Sequence, residues 1–372
     1  MISKDDFRKK LKFTKTDIFD EIKSRPFGKL MIWGTGGVSA GATRWLKKEN
    51  IDFDGYLVDS GNLKVSDDRI SDKPIYETDT FLKENSDIYI IVGHSHYEKA
   101  KLLMKKYPNI KRIWTIAAIA RLDILMSEEY ICKNIEKLAY SYYKLSDKES
   151  RQNMIDYLNA QLSRDGSDII SHFKTSTSYF ENDVINLKDN EYYFDAGVFD
   201  GKSIQSFIKN TSEKYAGILG VEIVPQYYER AKKMFAGYAN VQIINAGMSD
   251  HDGVDYFDFD GESTAITTSG GTRVDVKTID TICKENDFHP SIIKICIGNS
   301  VLPVLKGASS VLRDYTPKLI VTAGIDTKAL TDYIPEIEKM SKKNAYNFYL
   351  RYETAMAERL VLYAIPKKEN LR

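Results

Sequence analysis

The chain has 372 residues, 42% apolar and 28% charged, and its 53 Lys plus Arg balance 53 Asp plus Glu to a formal net charge of zero. That length suggests two domains, and the zero balance gives no overall field to gather DNA or RNA, although a local basic patch stays open. No apolar run nears the ~20 residues that cross a bilayer, "MISKDDFRKKLKF" lacks the form of a signal peptide, and Cys132, Cys283 and Cys296 have no Cys-x-x-Cys spacing, so a reduced, cytoplasmic protein without structural zinc or another metal is expected.

Residues 3–23 pattern as one short amphipathic helix ending near Pro26. From Lys29 strand, turn and helix alternate. "KLMIWG" reads as a buried strand, and "VSAGATRWLKKEN" carries Val38, Ala42, Trp45 and Leu46 at helical spacing. "DGYLVDS", "DIYIIVGHS" and "IKRIWTI" continue the strands, with "EKAKLLMKKY" as a helix before the last of them. This alternation implies a parallel, doubly wound sheet over residues 1–120. The turn "IWGTGGVSAGA" offers Gly34, Gly36 and Gly37, with Ser39 where a dinucleotide fingerprint prefers a third glycine, and Asp59 closes the next strand. It contains no acid, which suits a phosphate, and His94 and His96 lie at a strand's carboxyl end. Gly34, Gly36, Gly37, Asp59, His94 and His96 form a candidate nucleotide site.

Residues 121–188 show no strong strand. "EEYICKNIEKLAYSYYKL" and "DKESRQNMIDYLNAQL" read as helices, the second capped by Ser146 or Asp147. The segment is expected as a helical connector.

Over 189–372 the alternation returns. Strands are predicted in "EYYFDAG", "AGILGVEI", "VQIINAG", "VDYFDF", "RVDVKTI", "SIIKICI", "KLIVTA", "NFYLRY" and "RLVLYAI". Helices are predicted in "KSIQSFIKN", "PQYYERAKKMF", "SVLPVLKGASSVLRD" and "TKALTDYIPEIEKM". The last two strands have no room for a helix between them, so an antiparallel hairpin should end a parallel sheet. The fold class is therefore α/β, with two Rossmann-like doubly wound domains and a helical connector.

The turn "YYFDAGVFDGKSI" brings a strand end to a helix start, and Gly197 and Gly201 let backbone approach a ligand closely. Asp195 and Asp200 flank it. Two acids disfavour a bound pyrophosphate and suit a cationic aminoacid-sulfonium ligand, with Asp195 as an anchor for its amino group and Ser203 at the helix start. Glu222 and Ile223 close the second strand, where an acid can accept both ribose hydroxyls. Asn245, Ala246 and Gly247 close the third and would border an adenine.

On these residues the region 145–366 resembles the FkbM family of S-adenosylmethionine-dependent methyltransferases. The resemblance runs through "YFENDVINLKDNEYYFDAGVFDGKSIQSF", "VEIVPQYYERAKK", "NVQIINAGMSDHDGVDYF", "RVDVKTIDTI", "IKICIGNSVLPVLKGASSVLRDYTPKLIV" and "LRYETAMAERLVLYAIP". It implies a class I methyltransferase sheet, S-adenosylmethionine as cofactor, and methyl transfer to a hydroxyl of a sugar, nucleotide-sugar or related small molecule. It also implies that Asp195, Gly197, Asp200, Gly201 and Glu222 hold the cofactor, with Asn245 to Gly247 near the base. The stretch "IWGTGG … DIYIIVGHSHY" resembles the small Rossmann-like domain at the front of several bacterial sugar-modifying enzymes, which implies nucleotide-sugar binding or an assembly role.

The family's fourth core strand usually reads Lys-Ile-Asp-Val-Glu-Gly-Ala-Glu. Here Lys294-Ile295-Cys296-Ile297-Gly298-Asn299-Ser300-Val301 keeps the lysine and loses three acids, and Ala323 and Gly324 stand where the family has a histidine. Attack by a hydroxyl is usually assisted by a group at this strand end. Cys296 could replace the acid or be a small buried residue. Lys294, mid-strand in an apolar run, must pair with an acid such as Asp280 or Asp326, or point into the cleft, where it is the catalytic candidate. Ser263 and Thr264 in "DGESTAITTSGG" either bind substrate or form a solvated turn. The first reading is a methyltransferase with a small-molecule or saccharide acceptor, no nucleic-acid partner, no membrane span and an open oligomeric state. Its rivals are a catalytically degenerate donor-binding scaffold in glycan assembly and a nicotinamide-dependent oxidoreductase using the first glycine turn.

Overall fold

A computed structural model describes residues 4–13, 16–61, 70, 72–94, 98–116, 126–173, 178–260, 263–267, 271–354 and 357–367. Its internal contacts define two units, Met1–Ile135 with Gln152–Thr175 and Thr354–Arg359, and Glu136–Arg151 with Ser176–Glu353 and Leu360–Arg372. The stretch 121–188, expected as a separate connector, is thus divided between the units.

The first unit begins with α1 (Lys4–Arg8) and α2 (Ile18–Lys23), where the pattern over 3–23 predicts one helix. Asp17 starts the second helix by accepting from the N–H of Phe19 at 2.8 Å. There follow β1 (Lys29–Trp33), α3 (Gly37–Lys48), β2 (Gly55–Val58), β3 (Ile75–Glu77), α4 (Thr78–Glu84), β4 (Ile88–Val92), α5 (Glu98–Lys106), β5 (Ile110–Trp114) and α6 (Glu128–Lys133). The strands pair in parallel in the order β3-β2-β1-β4-β5. β2 and β4 are buried at every position, as strands covered on both faces should be. β3 and α4 escape the sequence pattern because the strand is three residues long and only partly buried.

Arg164 shows why part of the supposed connector belongs to this unit. Its guanidinium lies 4.5 Å from the Phe19 ring centre and 5.4 Å from that of Trp45, and it meets Asp17 and Glu49, each at 2.5 Å. Phe19 and Trp45 are fully buried and stack at 5.4 Å, so the cation closes one edge of the core.

Along the chain, α7 (Ile135–Lys144), α8 (Lys148–Ser163) and α9 (Ser167–His172) come next. Asp147 is the residue that caps α8, accepting from the N–H of Ser150 at 2.7 Å. The second unit then places β6 (Tyr192–Ala196), α10 (Lys202–Asn210), β7 (Gly217–Glu222), α11 (Pro225–Phe235) and β8 (Val241–Asn245). After them come β9 (Gly247–Met248), β10 (Gly253–Asp260), β11 (Ser263–Thr267), β12 (Thr272–Lys277), α12 (Ile279–Glu285) and β13 (Ile292–Ile295). The unit finishes with α13 (Val301–Lys306), α14 (Ser309–Asp314), β14 (Lys318–Thr322), α15 (Ile334–Met340), β15 (Tyr346–Tyr352) and β16 (Leu360–Pro366).

The main sheet has the order β15-β16-β14-β13-β6-β7-β8. The pairs from β14 to β8 are parallel, while β16 is antiparallel to both β14 and β15, which is the expected closing hairpin. A second sheet, β11-β10-β12-β9, includes Ser263 and Thr264, where a substrate contact or a solvated turn is expected: Ser263–Thr267 pairs antiparallel with β10. Two predicted helices are each broken. Gly307 and Ala308 separate α13 from α14, and a π-helical turn at Ala329–Tyr333 precedes α15.

Several buried polar groups of this unit are paired. At the amino ends of the strands, Lys318 meets Glu191 at 2.6 Å, both nearly inaccessible to solvent, and Glu191 also accepts from the Ser291 hydroxyl. On β15, Arg351 binds Asp183 at 2.8 Å and Asp147 at 2.7 Å. Thr278 caps α12 by accepting from the N–H of Thr281 at 3.0 Å. Thr278→Ala should therefore cost about 1 kcal/mol in a urea titration, with Thr278→Ser close to wild type.

Candidate functional site

The strand order turns back between β6 and β13: the chain leaves β6 for β7 on one side and reaches β13 on the other. In an open α/β sheet the crevice outside the strands' carboxyl ends at such a point is where ligands bind. The turn 195–201 leads from β6 into α10 at this place. Gly197 has φ 90° and Gly201 φ 80°, both left-handed. A Cβ on Gly197 would stand 2.4 Å from the carbonyl oxygen of Cys296, so the turn and the end of β13 touch backbone to backbone.

Asp195 and Lys294 are register partners across β6 and β13. Their side chains meet at 2.9 Å, with Asp195 0% and Lys294 4% exposed. Asp195 also accepts from the Ser203 hydroxyl at 2.5 Å, and Lys294 donates to the Gly197 carbonyl at 2.7 Å. The Tyr179 ring centre lies 5.7 Å from the ammonium. Burial works against the Lys294 charge, but the Asp195 carboxylate outweighs it and holds the ammonium pKa above the ordinary value. Tyr193, two residues before Asp195 on the same face, has its phenol pushed well up by burial and by that carboxylate. The acids foreseen as partners of Lys294 are engaged elsewhere. Asp280 accepts from the N–H groups of Ser310 and Val311, and Asp326 from Tyr333 and the N–H of Lys328.

Glu222 closes β7 and is also buried. Its two oxygens accept from the N–H groups of Phe199 at 2.8 Å and Val224 at 2.9 Å. Burial pushes its carboxyl up from the ordinary value, only partly offset by those amides. The other foreseen residues gather at the same edge. Asn245 donates to the carbonyls of Glu222 at 2.8 Å and Ile223 at 3.2 Å, and the N–H of Ala246 donates to the Glu222 carbonyl at 3.2 Å. A Cβ on Gly247 would approach Ile223 to 3.3 Å. Asp200 is turned to the helix start, meeting the Lys202 ammonium at 2.6 Å and the Lys202 N–H at 3.1 Å. Beyond β13, β11 lies beside the turn Gly298–Ser300.

Sequence reasoning passed over Phe199. It lies in the same turn at φ 50° and is 44% exposed. The available signal was a bulky residue in a turn that needs left-handed backbone.

In the first unit Gly34, at φ 123°, has no room for a Cβ against the Gly93 carbonyl at 2.7 Å. Ser39 donates to that carbonyl at 2.8 Å, which is why a hydroxyl stands where a third glycine was sought. Gly36 caps α3 without a side-chain bond, and Gly37 is its first residue. Asp59 is engaged by the Trp33 indole at 3.3 Å and by Lys99 at 3.6 Å, and the His94 ring packs edge-on to Trp33 at 4.5 Å. His96 lies outside the described residues. Among the described residues no group of His, Cys, Asp and Glu is arranged to hold a metal, and no helix is long and apolar enough to cross a membrane.

The seven-stranded order, the reversed end hairpin and the glycine turn at the switch point define a class I methyltransferase fold. The chain is similar over 91% of its length to the methyltransferase FkbM from Methylobacillus flagellatus KT, covering 90% of that chain at 19% identity and a TM-score of 0.66. Partial likenesses include Aeropyrum pernix fibrillarin with natively bound S-adenosyl-L-methionine (10% identity, 49% of this chain, 70% of that one, TM-score 0.31). A ribosomal RNA methylase from Streptococcus thermophilus is another (10% identity, 48% of this chain, 89% of that one, TM-score 0.31). No protein-family model and no curated protein matches the sequence.

Proposed function

We propose that the second unit binds S-adenosylmethionine at the carboxyl edge of β6, β7 and β8 and transfers its methyl group to a hydroxyl of a sugar, nucleotide-sugar or related small molecule. The observation that carries this reading is the glycine turn at the switch point of a class I methyltransferase sheet, with a buried acid closing the neighbouring strand. The bound donor supplies an electrophilic methyl group on a sulfonium. The chain's own residues fit it. Gly197 and Gly201 hold the left-handed backbone of the turn where a Cβ would strike Cys296 and Met234, and each Glu222 oxygen, already accepting one amide, retains a lone pair for a ribose hydroxyl. Ile223 and Asn245 to Gly247 border the base. Asp195, inaccessible to solvent, acts from behind the turn as a positioning residue through Ser203 and Lys294, and Asp200 fixes the start of α10.

The end of β13 presents Cys296, Ile297 and Gly298 and no carboxylate, so the transfer relies on placing the acceptor oxygen in line with the methyl group. The same feature, with Lys294 closed in an ion pair, favours a second reading: a donor-binding scaffold without turnover. Calorimetry of the intact chain with S-adenosylmethionine, followed by an assay of S-adenosylhomocysteine release with saccharide acceptors, separates the two. Binding with turnover is expected; binding without turnover across many acceptors supports the scaffold, and uptake of NAD with no donor binding overturns both. In the first unit, Gly34, Gly36, Gly37, Asp59 and His94 are proposed to face a nucleotide or nucleotide-sugar, and the same titrations with such ligands test it.

Donor affinity should depend on pH. The ionised Glu222 is the form that accepts two hydroxyls, and its carboxyl is raised in the folded chain. Affinity is therefore expected to fall about tenfold per unit as pH drops below that raised value, which calorimetry between pH 4 and 8 would show. The stability effect has the opposite sense. A raised acid favours the folded chain below its unfolded value of about 4.5, and this contribution is lost as pH rises through the folded value.

A further inference from the structure

We propose that the ring of Phe199 is a donor-contacting wall of the nucleoside pocket, standing against the ribose that Glu222 holds. This rests on the reading of the cleft as an adenosyl-donor site. Phe199 has φ 50°, a conformation that glycine or asparagine takes easily and a bulky aromatic residue takes only at a cost. Three interactions hold it there. Its N–H donates to Glu222 at 2.8 Å, its carbonyl accepts from the Arg230 guanidinium at 2.8 Å, and its ring meets that of Tyr227 edge-on at 4.8 Å. Arg230 in turn lies 5.1 Å from the Tyr227 ring centre, stiffening the second ring.

The strain is not repaid by core packing, because Phe199 is 44% exposed. An asparagine would give the same turn, the same amide to Glu222 and the same carbonyl to Arg230 at lower cost. Backbone strain that the fold does not need points to the exposed side of the residue. Phe199 is the immediate neighbour of Glu222: one hydrogen bond joins its backbone N–H to that carboxylate, which puts the ring within reach of a group bound on the acid. An aromatic face there suits the apolar face of a ribose and the positive charge of a sulfonium.

The test uses the full-length chain, with thermal melting beside calorimetry for S-adenosylhomocysteine and for adenosine. Phe199→Asn is expected to keep or raise the melting temperature while weakening both ligands about tenfold, and Phe199→Tyr to restore both to within about twofold. Wild-type affinity in Phe199→Asn overturns the proposal, as does a fall in melting temperature parallel to the affinity loss, which marks a packing role. A loss confined to S-adenosylhomocysteine, with adenosine unchanged, overturns the nucleoside placement. A wild-type chain that binds neither ligand overturns the donor-site reading itself and this inference with it, so the two failures are told apart by the wild-type titration.

Discussion

Lys294→Met is expected to lower the stability of the second unit by about 3–5 kcal/mol, the usual result of stripping one partner from a buried ion pair. Methionine fills nearly the same volume, so the loss isolates the charge. Asp195 would remain at 0% exposure without its cation, and the Gly197 carbonyl would lose the Lys294 donor. Both consequences fall on the glycine turn, so donor binding should weaken along with stability. Adding Asp195→Asn to Lys294→Met removes the uncompensated carboxylate and should recover much of the stability, since a pair replaced as a whole is often near neutral. The pH dependence follows from the raised Lys294 value. The pair's contribution is complete below the unfolded lysine value of 10.5 and is lost only as pH rises through the higher folded value. The gap between wild type and Lys294→Met should thus hold at pH 7 and shrink only in strong alkali. Guanidinium titrations at both extremes read it; an unchanged midpoint at pH 7 would refute the buried pair.

The second large effect is expected at Glu222. Glu222→Gln should weaken S-adenosylmethionine by about a hundredfold or more, because two hydroxyl hydrogen bonds to a charged acceptor are worth about 1.5–3 kcal/mol each. Glutamine keeps the length and one carbonyl, so the turn retains an acceptor for either Phe199 or Val224. Circular dichroism should show the fold intact. If the variant binds the donor as wild type does, the ribose does not sit at the end of β7.

Much of this protein is written locally. Alternation of buried strands with amphipathic helices, the carboxyl ends marked by Asp195, Glu222 and Asn245, and two closing strands too near for a helix are properties of a few neighbouring residues. They follow from the periods of strand and helix and from the room glycine gives a turn. Partner choice is not local. Lys294 is register-matched to Asp195 because β13 lies beside β6, a neighbourhood created by burying both faces of the sheet, and no spacing along the chain states it. The same holds for Arg164, which leaves the expected connector to close the core around Phe19 and Trp45.

What the sequence by itself determined is the α/β class, the place of the glycine turns and the set of residues at the strand ends, because each depends on side-chain period and backbone freedom within a short window. Only the tertiary structure decided that Asp195 faces inward to Lys294 and Ser203, that Glu222 is shared with the amide of Phe199, and that Phe199 is held left-handed and exposed. Those outcomes depend on which strands become neighbours, and that is settled by packing the whole sheet rather than by any one segment.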